Sequence, residues 1–112
     1  MKVSYRTTKL RKQCANAKSR QKAFGTERAR RLARRLTALE AADNLGDLKN
    51  TPGRLHALTG DRAGQLSLDL DGPFRLILEP VTDQDEAFNC ADTATWHRIN
   101  HVRVVGIEDT HE

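Results

Sequence analysis

The stretch Leu66-Ser67-Leu68-Asp69-Leu70-Asp71-Gly72-Pro73-Phe74-Arg75-Leu76-Ile77-Leu78-Glu79 is where the chain's hydrophobic period changes from helical spacing to alternation. Leu66, Leu68 and Leu70 alternate with Ser67 and Asp69. After the turn formers Asp71-Gly72-Pro73, Phe74, Leu76 and Leu78 alternate with Arg75, Ile77 and Glu79. Successive strand side chains point to opposite faces, so the leucines and Phe74 form the apolar face of an antiparallel hairpin and Arg75 emerges on the other. Pro80 offers no ladder donor and should end the second strand.

Working outward, Arg54 to Leu58 reads as an earlier strand, with His56 out of phase with Leu55 and Ala57, followed by a turn from Thr59 to Gly64. His101 to Glu108 reads as a later strand rich in β-branched residues, and Lys2 to Arg6 as a short first one. Between them, Thr8 opens a helix marked by Leu10, Cys14, Ala17 and Phe24. Gly25 breaks it, and Thr26 can cap a second helix whose apolar face is Ala29, Leu32, Ala33, Leu36 and Leu39, running to about Ala42. The expected fold is α+β: two N-terminal helices packed on one face of a small antiparallel sheet, as a single domain over 1–112. The connection from Val81 to Asn100 is long for so small a domain, which predicts a partial helix or a functional flap there.

Charge is bipolar along the chain. Thirteen of the 19 Lys and Arg residues fall in residues 1–36, where Glu27 is the only acid, so that segment carries +12 and the remainder, with 6 bases against 14 acids, carries −8. A segment this basic points to a polyanion or an acidic partner. No apolar run approaches the roughly 20 residues of a membrane span. Two cysteines, Cys14 and Cys90, make no disulfide framework, so a reducing compartment, the cytoplasm, is expected. Only five residues are aromatic, too few for a platform that stacks single-stranded bases, which leaves phosphate contact as the grip.

The segments Arg54-Leu55-His56-Ala57-Leu58-Thr59-Gly60-Asp61-Arg62-Ala63-Gly64-Gln65-Leu66-Ser67, Gly72-Pro73-Phe74-Arg75-Leu76 and Glu108-Asp109-Thr110-His111 resemble, in that order, the HigB family of toxin-antitoxin systems, within the RelE/ParE superfamily. The resemblance covers roughly residues 37–80 and 101–112; the Leu-x-Gly-Asp-Arg-x-Gly turn between two strands is its most specific part. It implies a RelE/ParE-like microbial ribonuclease fold, a cognate HigA-like antitoxin as partner, and metal-free cleavage of messenger RNA on the ribosome. By position it implies that His56 and His111 are active-site histidines, Asp109 the carboxylate and Arg75 the phosphate-binding arginine. The chain departs from the family in carrying Thr59 where a lysine is common and Thr110 where a tyrosine is common, and in its longer connection from Val81 to Asn100.

The residue types suit that chemistry. Cleavage by a 2′-hydroxyl needs a base, a cation for the charge on the phosphorane, and an acid for the leaving 5′-oxygen. Imidazole serves either proton role because it titrates near neutrality, and arginine offers a permanently charged fork to phosphate oxygens. The roles assigned are His56 or Asp109 as base, His111 as acid, Arg75 as transition-state stabiliser and Arg62 as a secondary phosphate contact, with Arg28, Arg31 and Arg35 of the second helix as further RNA-binding residues. Arg75 can instead pair with Asp69 or Glu79, and Arg62 can lock its turn through a carboxylate. No cofactor is expected, and no metal: Cys90, His97 and His101 lack a paired cysteine motif, and Asp83, Asp85 and Glu86 lack the glycine of a calcium loop. Two other readings stay open at this point, a non-catalytic or gyrase-directed binding protein on the same fold and a small nucleic-acid-binding protein using Arg28 to Arg35.

Overall fold

The computed structural model describes residues 1–82 and 90–110. Among these residues run eight regular elements: β1 (Lys2–Tyr5), α1 (Thr8–Cys14), α2 (Ala17–Phe24), α3 (Thr26–Ala41), β2 (His56–Ala57), β3 (Leu66–Asp69), β4 (Phe74–Pro80) and β5 (His101–Asp109). Short 3-10 turns occupy Leu45–Leu48, Gly60–Arg62 and Thr93–Arg98. The five strands form one sheet in the order β1-β5-β4-β3-β2.

The class is α+β, but two parts of the expected architecture need correction. The sheet is mixed, because β1 pairs parallel to β5 while the other three pairings are antiparallel. A parallel neighbour needs a crossover, and the three helices together with the next three strands supply it. There are also three helices rather than two. Thr7 caps α1 by accepting a hydrogen bond from the Leu10 amide at 3.1 Å, and Asn16 opens α2 by accepting one from Ser19 at 2.8 Å. Asn16 is thus an N-cap in the middle of what reads as one helix, since its side chain competes for backbone donors better than helix continuation does. Gly25, with φ at 83°, ends α2 and stands at the cap of α3 with no side-chain cap bond; Thr26 is already helical.

Leu10 and Cys14 of α1, and Leu32, Leu36 and Leu39 of α3, share one core with Leu66, Leu68, Leu76, Leu78, Val102 and Val104 of the sheet. α2 has no fully buried residue and meets this core only through the partly buried Phe24 at its end. Each fully buried leucine contributes about 1.5–3 kcal/mol by leaving water. The connection ahead of β5 closes the core from another side: Trp96, in the 3-10 turn, is buried and donates from its indole nitrogen to the Cys90 carbonyl at 2.8 Å. Asp83, Asp85 and Glu86 lie outside the described residues. The strand expected from Arg54 to Leu58 shrinks to His56–Ala57, while Pro80 does end β4.

One irregularity controls what β5 presents. The register steps from Leu78↔Val104 to Ile77↔Gly106, so Val105 is an extra residue in a β-bulge. The bulge reverses the facing of everything after it. Ile107 then packs against the core while Gly106 and Glu108 turn to the other face.

Candidate functional site

The face of the sheet away from the leucine core is assembled by register. His56 of β2 lies opposite Ser67 of β3, Asp69 of β3 opposite Arg75 of β4, and Arg75 opposite Glu108 of β5. Directly paired residues share a face, so all five project on the same side.

His56 is held by its backbone surroundings. Its Nδ1 lies 3.0 Å from the Arg54 carbonyl, and its Nε2 lies 3.3 Å from the Ser67 hydroxyl. A carbonyl only accepts, so Nδ1 carries a proton and Nε2 of the neutral ring is left as the basic nitrogen. Arg54, which supplies that carbonyl, has φ at 49°, the one positive value outside glycine among the described residues. Such a conformation costs about 1–3 kcal/mol and is retained only where the surroundings enforce it. They do: Gly53, with φ at 113°, accepts from the Asp69 amide at 2.7 Å, and a Cβ on Gly53 would meet Arg35 Nε at 2.8 Å. Ser67 is the sole buried polar side chain among the described residues, which makes its hydroxyl a fixed neighbour of the imidazole.

Three arginines at this face, Arg75, Arg54 and Arg62, are paired with carboxylates. Arg75 Nε lies 2.8 Å from Asp69 Oδ1, and its Nη1 donates to the Gly72 and Phe74 carbonyls at 2.8 and 2.9 Å. Arg54 Nε lies 3.3 Å from the second Asp69 oxygen. Arg62 donates from both terminal nitrogens to Glu108, each at 2.7 Å. Those hydrogen bonds hold the Glu108 carboxyl below the usual carboxylate range and raise Arg62 in turn. Glu108 therefore occupies the fork of Arg62 that an incoming phosphate would use, and Asp69 with two carbonyls engages Arg75.

Of the residues assigned from the sequence, the structure brings His56, Arg75 and Arg62 to one face. Asp109 is not with them: it pairs with Phe74, on the helix-facing side, and the carboxylate beside Arg75 is Glu108. The bulge at Val105 is the reason. An isolated glycine inside a strand pattern is a bulge signal, and Gly106 is the residue that carried it. His111 lies outside the described residues. Thr59 is exposed at the start of the turn Gly60–Arg62, and Thr110 donates from its amide to the Pro73 carbonyl at 3.0 Å.

Four of the five arginines of α3, all but the exposed Arg34, have partners within the protein. Arg28 bonds both oxygens of Asp71, at 3.0 and 3.3 Å, with its guanidinium 3.4 Å from the Phe74 ring centre, so it pins α3 to the hairpin turn. Arg35 donates to the Asp69 carbonyl at 2.9 Å, and burial lowers its pKa. Arg31 pairs with Glu27 one helical turn back at 2.9 Å. Their expected role in gripping RNA is thus replaced, for Arg28 and Arg35, by tertiary anchoring. Cys90, His97 and His101 go to separate partners: the thiol toward the Gln65 carbonyl, His97 to the Ala94 carbonyl at 2.7 Å, and His101 to Ser4 at 2.8 Å. Among the described residues no helix is long and apolar enough to cross a membrane.

Compared with protein-family models and with curated proteins, the chain finds no match.

Proposed function

We propose that this chain is the toxin of a toxin-antitoxin pair, a RelE/ParE-like ribonuclease that cleaves messenger RNA on the ribosome without a metal. It acts in the cytoplasm and is neutralised by a HigA-like antitoxin. The observation that carries the reading is His56: an imidazole whose Nδ1 donates to the carbonyl of the strained residue Arg54, on the same face as Arg75 and Arg62. His56 Nε2 takes the proton of a 2′-hydroxyl, whose oxygen attacks the adjacent phosphorus. The bond from phosphorus to the 5′-oxygen breaks, His111 supplies the proton to that oxygen, and a 2′,3′-cyclic phosphate remains. His56 and Arg75 are separated by two strand spacings and two residues, about 12 Å between Cα atoms by sheet geometry, a span that admits a phosphodiester between the two side chains. Arg75 and Arg62 stabilise the phosphorane once Asp69 and Glu108 yield to it.

The pairing of both arginines with carboxylates favours a second reading, a protein on the same fold that binds an antitoxin or gyrase without catalysis. Induced expression of wild type, His56→Ala and His111→Ala in a bacterial host, with mapping of messenger RNA 5′ ends minutes later, separates the two. Cleavage inside reading frames with wild type and its loss in both variants supports the ribonuclease. A folded wild type that produces no new ends sinks it and leaves the binding protein.

A further inference from the structure

The basic charge of residues 1–36 divides into two unlike populations. On α3, Glu27 and Asp71 answer Arg28, Arg30 and Arg31. Residues 1–26 contain eight Lys and Arg and no acid at all. Their helices α1 and α2 enclose a groove of about 640 Å³, whose lining includes Lys9, Lys12, Lys22, Thr8, Gln13 and Ser19. The three lysines are exposed, and among the described residues no carboxylate pairs with any of them.

We infer that the α1–α2 groove is a binding site for the phosphate backbone of duplex RNA, separate from the face that carries His56. Three unpaired ammonium groups around an open groove suit a surface of closely spaced fixed charges, where binding gains from counterion release. The groove has no aromatic residue, which disfavours unstacked single strands. Its hydroxyls and amide, on Thr8, Ser19 and Gln13, are donors and acceptors for the 2′-hydroxyls that line the shallow minor groove of A-form RNA. B-form DNA lacks those groups, so RNA is the preferred duplex.

The site is also remote from the proposed chemistry. α1 packs beside β1, at one edge of the sheet, while His56 lies on β2 at the other. Four strand spacings separate the edges, about 19 Å. The gripped duplex is therefore a different piece of RNA from a strand cut at His56. This deepens the ribonuclease reading by adding an anchor for a structured scaffold, yet it is tested without turnover, so the two stand or fall separately.

The experiment is fluorescence anisotropy of a labelled 16-base-pair RNA duplex with the full chain, titrated over a series of KCl concentrations. It compares wild type, Lys9→Gln/Lys12→Gln/Lys22→Gln, and the charge-matched control Arg34→Gln/Lys49→Gln/Arg98→Gln, with circular dichroism confirming that all three fold. The groove variant should lose on the order of tenfold in affinity at 0.1 M salt or more, and its log-log salt slope should fall by about 3, while the control changes little. The DNA duplex of the same sequence should bind wild type more weakly. Equal losses in the two variants would reduce the effect to net charge and overturn the site. Unchanged RNA binding in the groove variant, with loss of binding to a labelled polyglutamate peptide, would overturn it in favour of an acidic protein partner.

Discussion

Arg62 grips Glu108 through two hydrogen bonds of 2.7 Å, tying the turn after β2 to β5, two strands beyond β3. The contact exists because the bulge at Val105 rotates Glu108 to this face; in a regular strand Asp109 would project here. It spends the charge of the turn's arginine on a carboxylate, so stability and anion binding at this place oppose each other.

The pair predicts a pH dependence. Arg62 holds the Glu108 carboxyl low in the folded protein, so acidification protonates the unfolded chain first. The contribution is present above the ordinary carboxylate pKa and disappears as pH falls through the folded value. Both side chains are more than a third exposed, at 42% and 38%, so the whole effect is about 1 kcal/mol or less. Urea denaturation should show Glu108→Gln less stable than wild type at pH 7, with the gap closing as pH falls below the ordinary carboxylate range. A gap that persists at acid pH would mean the pair is not its source.

If His56 is the base, its two hydrogen bonds divide in importance. His56→Gln should lower cleavage by about 10²- to 10⁴-fold with the fold retained. Ser67→Ala leaves the Nδ1 contact to Arg54 intact and should cost less than about tenfold, with the Nδ1-protonated tautomer still observed by nitrogen NMR of the ring. Loss of that tautomer in Ser67→Ala would transfer the positioning role from the carbonyl to the hydroxyl.

Gly53→Ala should be among the costliest single-methyl additions in the chain. The residue sits at φ 113°, and its new Cβ would meet Arg35 Nε at 2.8 Å. Arg35 is itself held by the Asp69 carbonyl at 2.9 Å, so the clash has no easy release. A loss of about 1–3 kcal/mol, read as a lower melting temperature, is expected. Gly72→Ala has open space around its Cβ and strains the backbone alone, so it should cost less.

Arg28→Ala should destabilise rather than weaken RNA binding. Its side chain is 24% exposed, bonded to Asp71 and seated on Phe74, an arrangement worth about 1–3 kcal/mol. Thermal unfolding should register the loss, with duplex RNA affinity changed less than twofold. A stable Arg28→Ala with weakened RNA binding would return the arginine to the role its position in a basic helix suggests.

Burial pushes the Cys14 thiol up to about 11. A raised thiol stabilises the fold below its ordinary pKa, and that contribution is lost as pH rises through about 11. Iodoacetamide at pH 8 should therefore label Cys14 only at the rate of unfolding, whereas in urea it should react as a free thiol. Rapid labelling of native protein would contradict its place in the core.

Much of the fold was legible in local pattern. Alternation from Leu66 to Glu79 required a hairpin with Arg75 turned from the core, and the leucine spacing of α3 required a buried face, because period and burial are properties of short segments. The break at Asn16 was harder, since a capping residue and a helix-interior residue differ only in what their side chains find to bond.

What the sequence by itself determined is the inventory: an α+β chain with His56 and Arg75 out of phase with its apolar residues, Arg62 in a turn between strands, and a basic first third. Tertiary structure decided the partners. The pairing of β5 with β4 set the bulge that exchanged Asp109 for Glu108, and the packing of α3 on the hairpin consumed Arg28 and Arg35 while Lys9, Lys12 and Lys22 meet no carboxylate among the described residues. Both outcomes depend on contacts between segments tens of residues apart, and no local period encodes which charge will meet which.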